Sequence, residues 1–153
     1  MPELTPQDQT SAAIPAEAVP TREQILRLQS AMIPHATTMP EPGHLFAPGM
    51  YLRTLEIPAG MLVVGKTHRH DHFVMLLRGR ALVVSEFVRN EVTAGYVAVS
   101  KAGVKRVVIA LEDALFATVH LNATDTEDLS VIEAEHIAPD TAEMEHVMRG
   151  VLV

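Results

Sequence analysis

Short β-rich runs fill the middle of this chain, and turns that mostly contain glycine separate them. Eight runs of four to eight residues follow one another: Met50–Ile57, Met61–Lys66, Phe73–Leu77, Ala81–Val88, Glu91–Ala94, Tyr96–Ser100, Arg106–Leu111 and Ala114–Leu121. Antiparallel strands can be joined by short turns, whereas parallel strands need a long crossover, usually a helix. No run of helix length intervenes, so the sequence predicts an all-β antiparallel sandwich or barrel.

The segments on either side of these runs have different patterns. Residues 1–20 combine several prolines with small polar side chains, which predicts a flexible N-terminal arm. Thr21 and Gln24 have the spacing of a capping box, and apolar side chains at helical spacing then predict one short helix over residues 21–33. A connection rich in proline and glycine, residues 34–49, leads to the first β run.

Acidic side chains dominate the last thirty residues. Val131, Ile132 and Ile137 are typical of one more edge strand, and residues 138–153 are predicted to form a C-terminal tail. We therefore predict a single domain over residues 21–137 that includes the N-terminal helix.

Composition excludes several functional classes. The chain has 153 residues and a formal net charge of -7, and its few lysines and arginines are scattered, which argues against a nucleic-acid binder. Cysteine is absent, so disulfides, thiolate metal ligands and a cysteine nucleophile are excluded. No apolar run is long enough for a membrane span, and the first residues lack the pattern of a signal peptide. These features predict a cytoplasmic protein that binds neither membranes nor nucleic acid.

Histidine is the residue type that most clearly indicates a functional site in this sequence. The chain has eight histidines, and His68, His70 and His72 alternate within five residues. In a continuous strand they would share one face with Lys66 and Val74. Imidazole nitrogens that converge on one face can hold a divalent metal ion.

Two spacing patterns make the chain resemble the cupin superfamily. The first cupin motif has a glycine, an HxH pair, a glutamate and a second glycine, and its spacing is matched by Gly60, Lys66, His68, His72 and Gly79. The second has a glycine, PxG, a histidine and an asparagine, and its spacing is matched by Gly95, Lys101, Gly103, Arg106 and Ala110. The segment from Leu45 to Val119 is also similar to small cupins encoded by tailed phages and prophages.

The resemblance implies a jelly-roll barrel, also called a double-stranded β-helix, over about residues 45–137 with one short helix before it. It also implies a metal site, which this sequence alters. Of the four usual ligand positions, only His68 keeps its histidine. Lys66 replaces the first histidine, His72 replaces the glutamate, and Arg106 replaces the histidine of the second motif. A guanidinium stays protonated and cannot ligate a metal.

Two interpretations of this altered site remain open. In the first, the metal site is rebuilt from His68, His72 and a third histidine, which is either His120 at the end of the last run or His70. Such a site suits Zn, Ni, Fe or Cu. His35, His136 and His146 lie outside the motifs and are expected to be dispensable for metal binding.

In the second interpretation the barrel binds an anion without a metal. The motif match places Lys66 and Arg106 inside the barrel, where cations need a partner or a ligand carboxylate or phosphate. Arg53 shares strand parity with Tyr51 and could join them, and His44 could fold over the barrel mouth. Pairing of these cations with Glu56, Glu86 or Asp113 is the alternative.

The predicted function is therefore a metal-binding cupin that acts on a small acid or sugar derivative, with a non-catalytic ligand-binding or structural cupin as the alternative. Catalytic residues are not identified by the sequence. Cupins commonly form dimers, so we expect a homodimer in which residues 21–33 or the C-terminal segment contribute to the contact, together with a small-molecule ligand.

Overall fold

A computed structural model describes residues 19–36 and 41–139 of the chain. Helix α1, Arg22–Met32, begins at Thr21, whose side-chain oxygen accepts from the Gln24 N–H while the Gln24 side chain accepts from the Thr21 N–H. The predicted capping box and helix are confirmed. A 3-10 turn, Ile33–His35, follows. The predicted arm lies almost entirely outside the described residues, as does most of the C-terminal tail.

Eleven strands form in the described part of the chain. They are β1 (Gly43–Ala47), β2 (Met50–Ile57), β3 (Leu62–Val64), β4 (Thr67–His68), β5 (His72–Arg78), β6 (Arg80–Ser85), β7 (Arg89–Thr93), β8 (Val97–Ser100), β9 (Arg106–Ala110), β10 (Ala114–Leu121) and β11 (Ile137–Ala138). All eight predicted runs are strands. The three short or peripheral strands β1, β4 and β11 complete the set.

The strand order is that of a jelly roll. One sheet has the order β1-β2-β10-β5-β8, and the other has the order β3-β9-β6-β7. Numbered one to eight along the chain, the eight predicted runs pair as 1-8-3-6 and 2-7-4-5, and every pair is antiparallel. Two four-stranded layers connected in this way are the double-stranded β-helix, so the predicted fold class is confirmed.

Apolar side chains fill one end of the barrel. The buried cluster there consists of Ile57, Val63, Leu76, Ala81, Val83, Val92, Ala110, Ala114 and Phe116. The register pairs Phe116 with Leu55 on β2 and with Leu76 on β5. Towards the other end of β10, His120 pairs with Tyr51. The same central strands therefore carry both an apolar end and a polar end.

A glycine is required where β5 turns into β6. Gly79 has a φ of 86°, and a Cβ atom built there would lie 2.2 Å from the carbonyl oxygen of Asp113. Only glycine combines the left-handed backbone with such a close approach. The second glycine of the first motif therefore sets a turn.

Two elements differ from the sequence prediction. Val131 and Ile132 lie in helix α2, Leu129–His136, and not in an edge strand. The Asp128 side chain caps this helix by accepting from the Ser130 N–H, and Ile132 is buried, so capping and burial outweigh the strand preference of β-branched residues. Strand β1 occupies part of the predicted connection 34–49, because it pairs along its length with β2.

Helix α1 packs on this chain's own barrel. Its Ile25 is 1% exposed, and Arg22 forms an ion pair with Glu86 at 2.5 Å. None of the described helices has the length and apolar character that crossing a membrane requires. The cytoplasmic location stays a prediction.

Candidate metal centre

Three histidines from three strands meet at the polar end of the barrel. His68 ends β4, His72 begins β5, and His120 is the penultimate residue of β10. One ring nitrogen from each lies within 4.8 Å of the other two. The ring centroids are 4.2 Å apart for His68 and His72, 4.6 Å for His72 and His120, and 5.2 Å for His68 and His120. We call these three residues the histidine cluster.

A turn over residues 69–71 fixes the first two members of the cluster. The Asp71 carboxylate accepts from Lys101 Nζ at 2.7 Å and from the Ala102 N–H at 2.9 Å. The carbonyl of His68 accepts from the Gly103 N–H at 2.9 Å. The turn is thus held from the loop between β8 and β9, which is the region of the second motif.

His70 lies in this turn and not in the cluster. Its side chain is exposed, and its ring meets the His136 ring edge-on with centroids 5.7 Å apart. Strand alternation predicted that His70 would share a face with His68 and His72. It does not, because the chain bends at residues 69 and 70 and the strand is interrupted between His68 and His72.

Burial keeps the histidine cluster neutral. His72 and His120 are 8% and 6% exposed. Loss of hydration lowers the pKa of His72 to about 4 and that of His120 to about 3, and it lowers the pKa of His68 as well. Proximity adds to this effect, since the charges of His72 and His120 also lower the pKa of His68. At neutral pH the imidazoles are therefore deprotonated, the form that binds metal.

One nitrogen of two of these rings is held by a neighbour. His72 Nδ1 lies 3.3 Å from the carbonyl oxygen of His70, and His120 Nε2 lies 2.9 Å from Thr118 Oγ1. Metal-bound histidines are typically held in this way, with the second ring nitrogen bonded to a carbonyl or a hydroxyl. His72 Nε2 and His120 Nδ1 remain for a ligand.

Aromatic rings extend the site towards β1. Tyr51 stacks on His120 with centroids 5.7 Å apart, and on its other sides lie His44 at 5.9 Å and Phe46 at 5.3 Å. His44 Nδ1 is 2.7 Å from the Tyr51 hydroxyl. The predicted ligand-binding residue His44 therefore reaches the site through Tyr51, from a strand and not from a loop.

Arg106 and Arg53 supply positive charge beside the histidine cluster. The charge of Arg106 lowers the pKa of His72, and that of Arg53 lowers the pKa of His120. The Arg106 guanidinium donates to Ser100 Oγ, and burial lowers its pKa. Among the described residues, neither arginine forms an ion pair with a carboxylate.

Lys66 lies outside the barrel, contrary to the position that the motif match implied. Its side chain is 63% exposed and its Nζ pairs with Glu133 of α2. Glu133 was not among the predicted partners. Strand β3 ends at Val64, so Lys66 follows the strand and is free to turn towards the helix.

Sequence reasoning missed three residues of the site. Tyr51 is opposite His120 in the register, and its parity with Arg53 was the available signal. Thr118 shares the inward parity of His120. His136 comes from α2, and its ring centroid is 5.4 Å from that of His120. No motif spacing indicates a residue from a helix outside the barrel.

The donor set fits a divalent transition metal. Neutral imidazoles are ligands for Zn, Cu, Fe and Ni, which bind them at about 2.0–2.1 Å. The nitrogens of the histidine cluster lie within 4.8 Å of one another, which is the proximity that a shared ion requires. Arg106, at the fourth motif position, provides charge and not a ligand.

Among known proteins, similarity to this chain is found at the level of solved structures. No protein-family profile matches the chain, and no curated protein matches it. Similar solved structures include KdgF from Halomonas sp. (17% identity, 58% of this chain and 81% of that chain, TM-score 0.48) and a cupin-2 domain protein from Shewanella frigidimarina (11%, 67% and 100%, TM-score 0.47). A double-stranded β-helix protein from Klebsiella pneumoniae is another (16%, 60% and 84%, TM-score 0.49).

The chain has the jelly-roll fold of a double-stranded β-helix, as the order of its own strands shows.

Proposed function

We propose that this protein binds one divalent transition-metal ion through His68, His72 and His120. The observation that carries the proposal is the convergence of three neutral imidazoles within 4.8 Å at a buried barrel end. Burying polar rings without an occupant costs free energy, and a metal ion would compensate that cost. Zn, Ni, Fe and Cu all suit an imidazole-only donor set.

We further propose that the metal-bound site takes a small acid. Arg106 and Arg53 stand beside the cluster without a carboxylate partner among the described residues, so an anionic ligand would find two guanidinium groups there. Tyr51 would pack against the body of the ligand. A bound metal ion would polarise a ligand oxygen as a Lewis acid, and the burial of the cluster would keep water away from it.

Metal analysis of protein purified without a histidine tag tests the first proposal. We expect close to one equivalent of Zn, Ni, Fe or Cu per chain in the wild type, and almost none in His68→Ala or His72→Ala. The matched control is His35→Ala, since His35 is an exposed histidine in the 3-10 turn after α1. Equal metal content in His68→Ala and His35→Ala would refute a site built on the cluster.

The second candidate function is an anion-binding cupin that needs no metal. The presence of Arg106 at a usual ligand position favours it, because a cation there repels a metal ion. Calorimetric titration of chelator-treated protein with oxalate separates the two. Binding that requires added metal supports the metal-dependent function, and equal binding with and without metal supports the alternative.

We also propose a homodimer formed by the outer face of the larger sheet. One row crosses all five strands and is entirely apolar: Leu45, Leu52, Val119, Phe73 and Val99, in register order. Leu45 and Phe73 are 64% and 54% exposed. Identical chains with a net charge of -7 repel each other, so this apolar row is where two copies can meet in a symmetric contact.

Light scattering tests the dimer. We expect a dimer mass at micromolar concentration and a monomer for Phe73→Asp. Phe87→Asp alters another exposed phenylalanine, in the turn between β6 and β7, and should stay dimeric. A monomeric wild type would contradict the dimer, and a dimeric Phe73→Asp would contradict this face.

A further inference from the structure

His136 is a buried histidine with an unused nitrogen. It is the last residue of α2 and is 7% exposed. Its Nε2 is buried and has no hydrogen-bond partner among the described residues. An unsatisfied buried polar atom costs about 1–3 kcal/mol, so native structures rarely keep one without a reason.

His136 lies beside the histidine cluster. Its ring centroid lies 5.4 Å from that of His120, close to the 5.2 Å that separates His68 from His120. Imidazoles that bind one ion through nitrogens at about 2.0–2.1 Å have ring centroids roughly 5 Å apart.

The main chain around His136 is tied to the strand that carries His68. The Arg69 N–H donates to the His136 carbonyl at 2.7 Å, and Arg69 Nε donates to the Ile137 carbonyl at 3.0 Å. Ile137 of β11 pairs with His68 of β4. These contacts hold the end of α2 against the cluster from outside the barrel.

The other ring nitrogen of His136 has a neighbour. Burial lowers the pKa of His136, and a main-chain hydrogen bond at Leu121 partly opposes this; since Nε2 has no partner, Nδ1 is the nitrogen left to make that bond. In metal sites, a histidine typically bonds a carbonyl through one ring nitrogen and the metal through the other. His136 has this arrangement, because its second nitrogen is buried and has no hydrogen-bond partner among the described residues.

We propose that His136 is a fourth protein ligand of the metal held by His68, His72 and His120, so that α2 closes the metal site. The inference rests on the proposed metal binding. It replaces the glutamate or second-motif histidine of the usual cupin site with an imidazole from a helix outside the barrel. Four nitrogens still leave positions for a small acid on a five- or six-coordinate ion beside Arg106.

Titration of the untagged, metal-free protein with Co²⁺ tests this inference, with affinity and the visible absorption spectrum as readouts. For His136→Ala we expect about 10- to 100-fold weaker binding and an altered spectrum. Free imidazole should restore the wild-type spectrum by filling the vacated position, which loss of a merely structural side chain would not allow. His70→Ala is the matched control, because His70 contacts the His136 ring but is itself exposed and lies outside the cluster.

The outcomes separate the two proposals. If His68→Ala binds Co²⁺ as the wild type does, the metal-binding proposal fails. If His68→Ala loses Co²⁺ while His136→Ala keeps wild-type affinity and spectrum, metal binding stands and the fourth ligand is refuted. Should His136→Ala fail to fold by circular dichroism, His136→Gln keeps the packing volume and is judged by the same two readouts.

Discussion

The two ends of the barrel interior use the same strands for opposite purposes. Along β5 the inward side chains run from His72 through Val74 to Leu76, and along β10 they run from His120 through Thr118 to Phe116. Only four residues separate the most polar from the most apolar environment on β5.

The two ends contribute to stability with opposite sign. Leu76 is fully buried among apolar side chains, and such burial contributes about 1.5–3 kcal/mol per side chain. The histidine cluster is also shielded from water, but its imidazoles lose hydration that apolar contacts do not replace. The apolar end therefore stabilises the fold, while burial of the imidazoles at the polar end costs free energy.

The largest expected effect comes from acid. In the unfolded chain a histidine has a pKa of about 6.5, whereas in the folded chain His72 and His120 have values of about 4 and about 3. As the pH falls below 6.5, these histidines therefore bind protons in the unfolded state but not in the folded state. Stability is complete above pH 6.5 and is lost progressively as the pH approaches 4.

Urea unfolding with a chelator present measures this loss. One pH unit below 6.5, each imidazole of the cluster lowers the free energy of unfolding by up to about 1.4 kcal/mol, so by up to about 4 kcal/mol for all three. His72→Gln should reduce the difference between pH 7.5 and pH 5.5 by its own share. Equal unfolding free energies of the wild type at both values would contradict the account of the polar end.

The apolar end should give the next largest effect. Leu76→Ala removes a fully buried side chain and should lower the free energy of unfolding by about 3 kcal/mol. Leu77→Ala, one residue along and 52% exposed, should change it by less than about 1 kcal/mol. If the folded Leu76→Ala protein lost metal affinity as well, the two ends would not be separate.

The smallest effect concerns the charge beside the cluster. Arg106→Gln removes a cation that lowers the pKa of His72, so metal affinity should rise roughly tenfold while affinity for a small acid falls. Lys66→Gln is the matched control, because Lys66 is exposed and paired with Glu133. Parallel calorimetric titrations measure both affinities, and equal behaviour of the two variants would argue against a role for Arg106 in the site.

Much of the fold was predictable because its signals are local. The eight runs and the capping box of α1 depend on residues close in sequence, and every one is found. His68 and His72 could be located by motif spacing, and His120 by its place at the end of the last run.

The remainder of the site depends on contacts that the sequence does not display. His70 turns outwards because Asp71 is held by Lys101, thirty residues away in the chain. His136 reaches the cluster because Arg69 binds the end of α2. Neither contact has a local signature, so the sequence offered His70 as a candidate ligand and gave no reason to place His136 beside the cluster.

X-ray absorption spectroscopy of the metal-loaded, untagged protein tests the central claim most directly. We expect at least three imidazole nitrogens in the first coordination shell, at roughly 2.0–2.1 Å from the metal. A shell made of oxygen atoms alone would contradict a metal centre built from His68, His72 and His120.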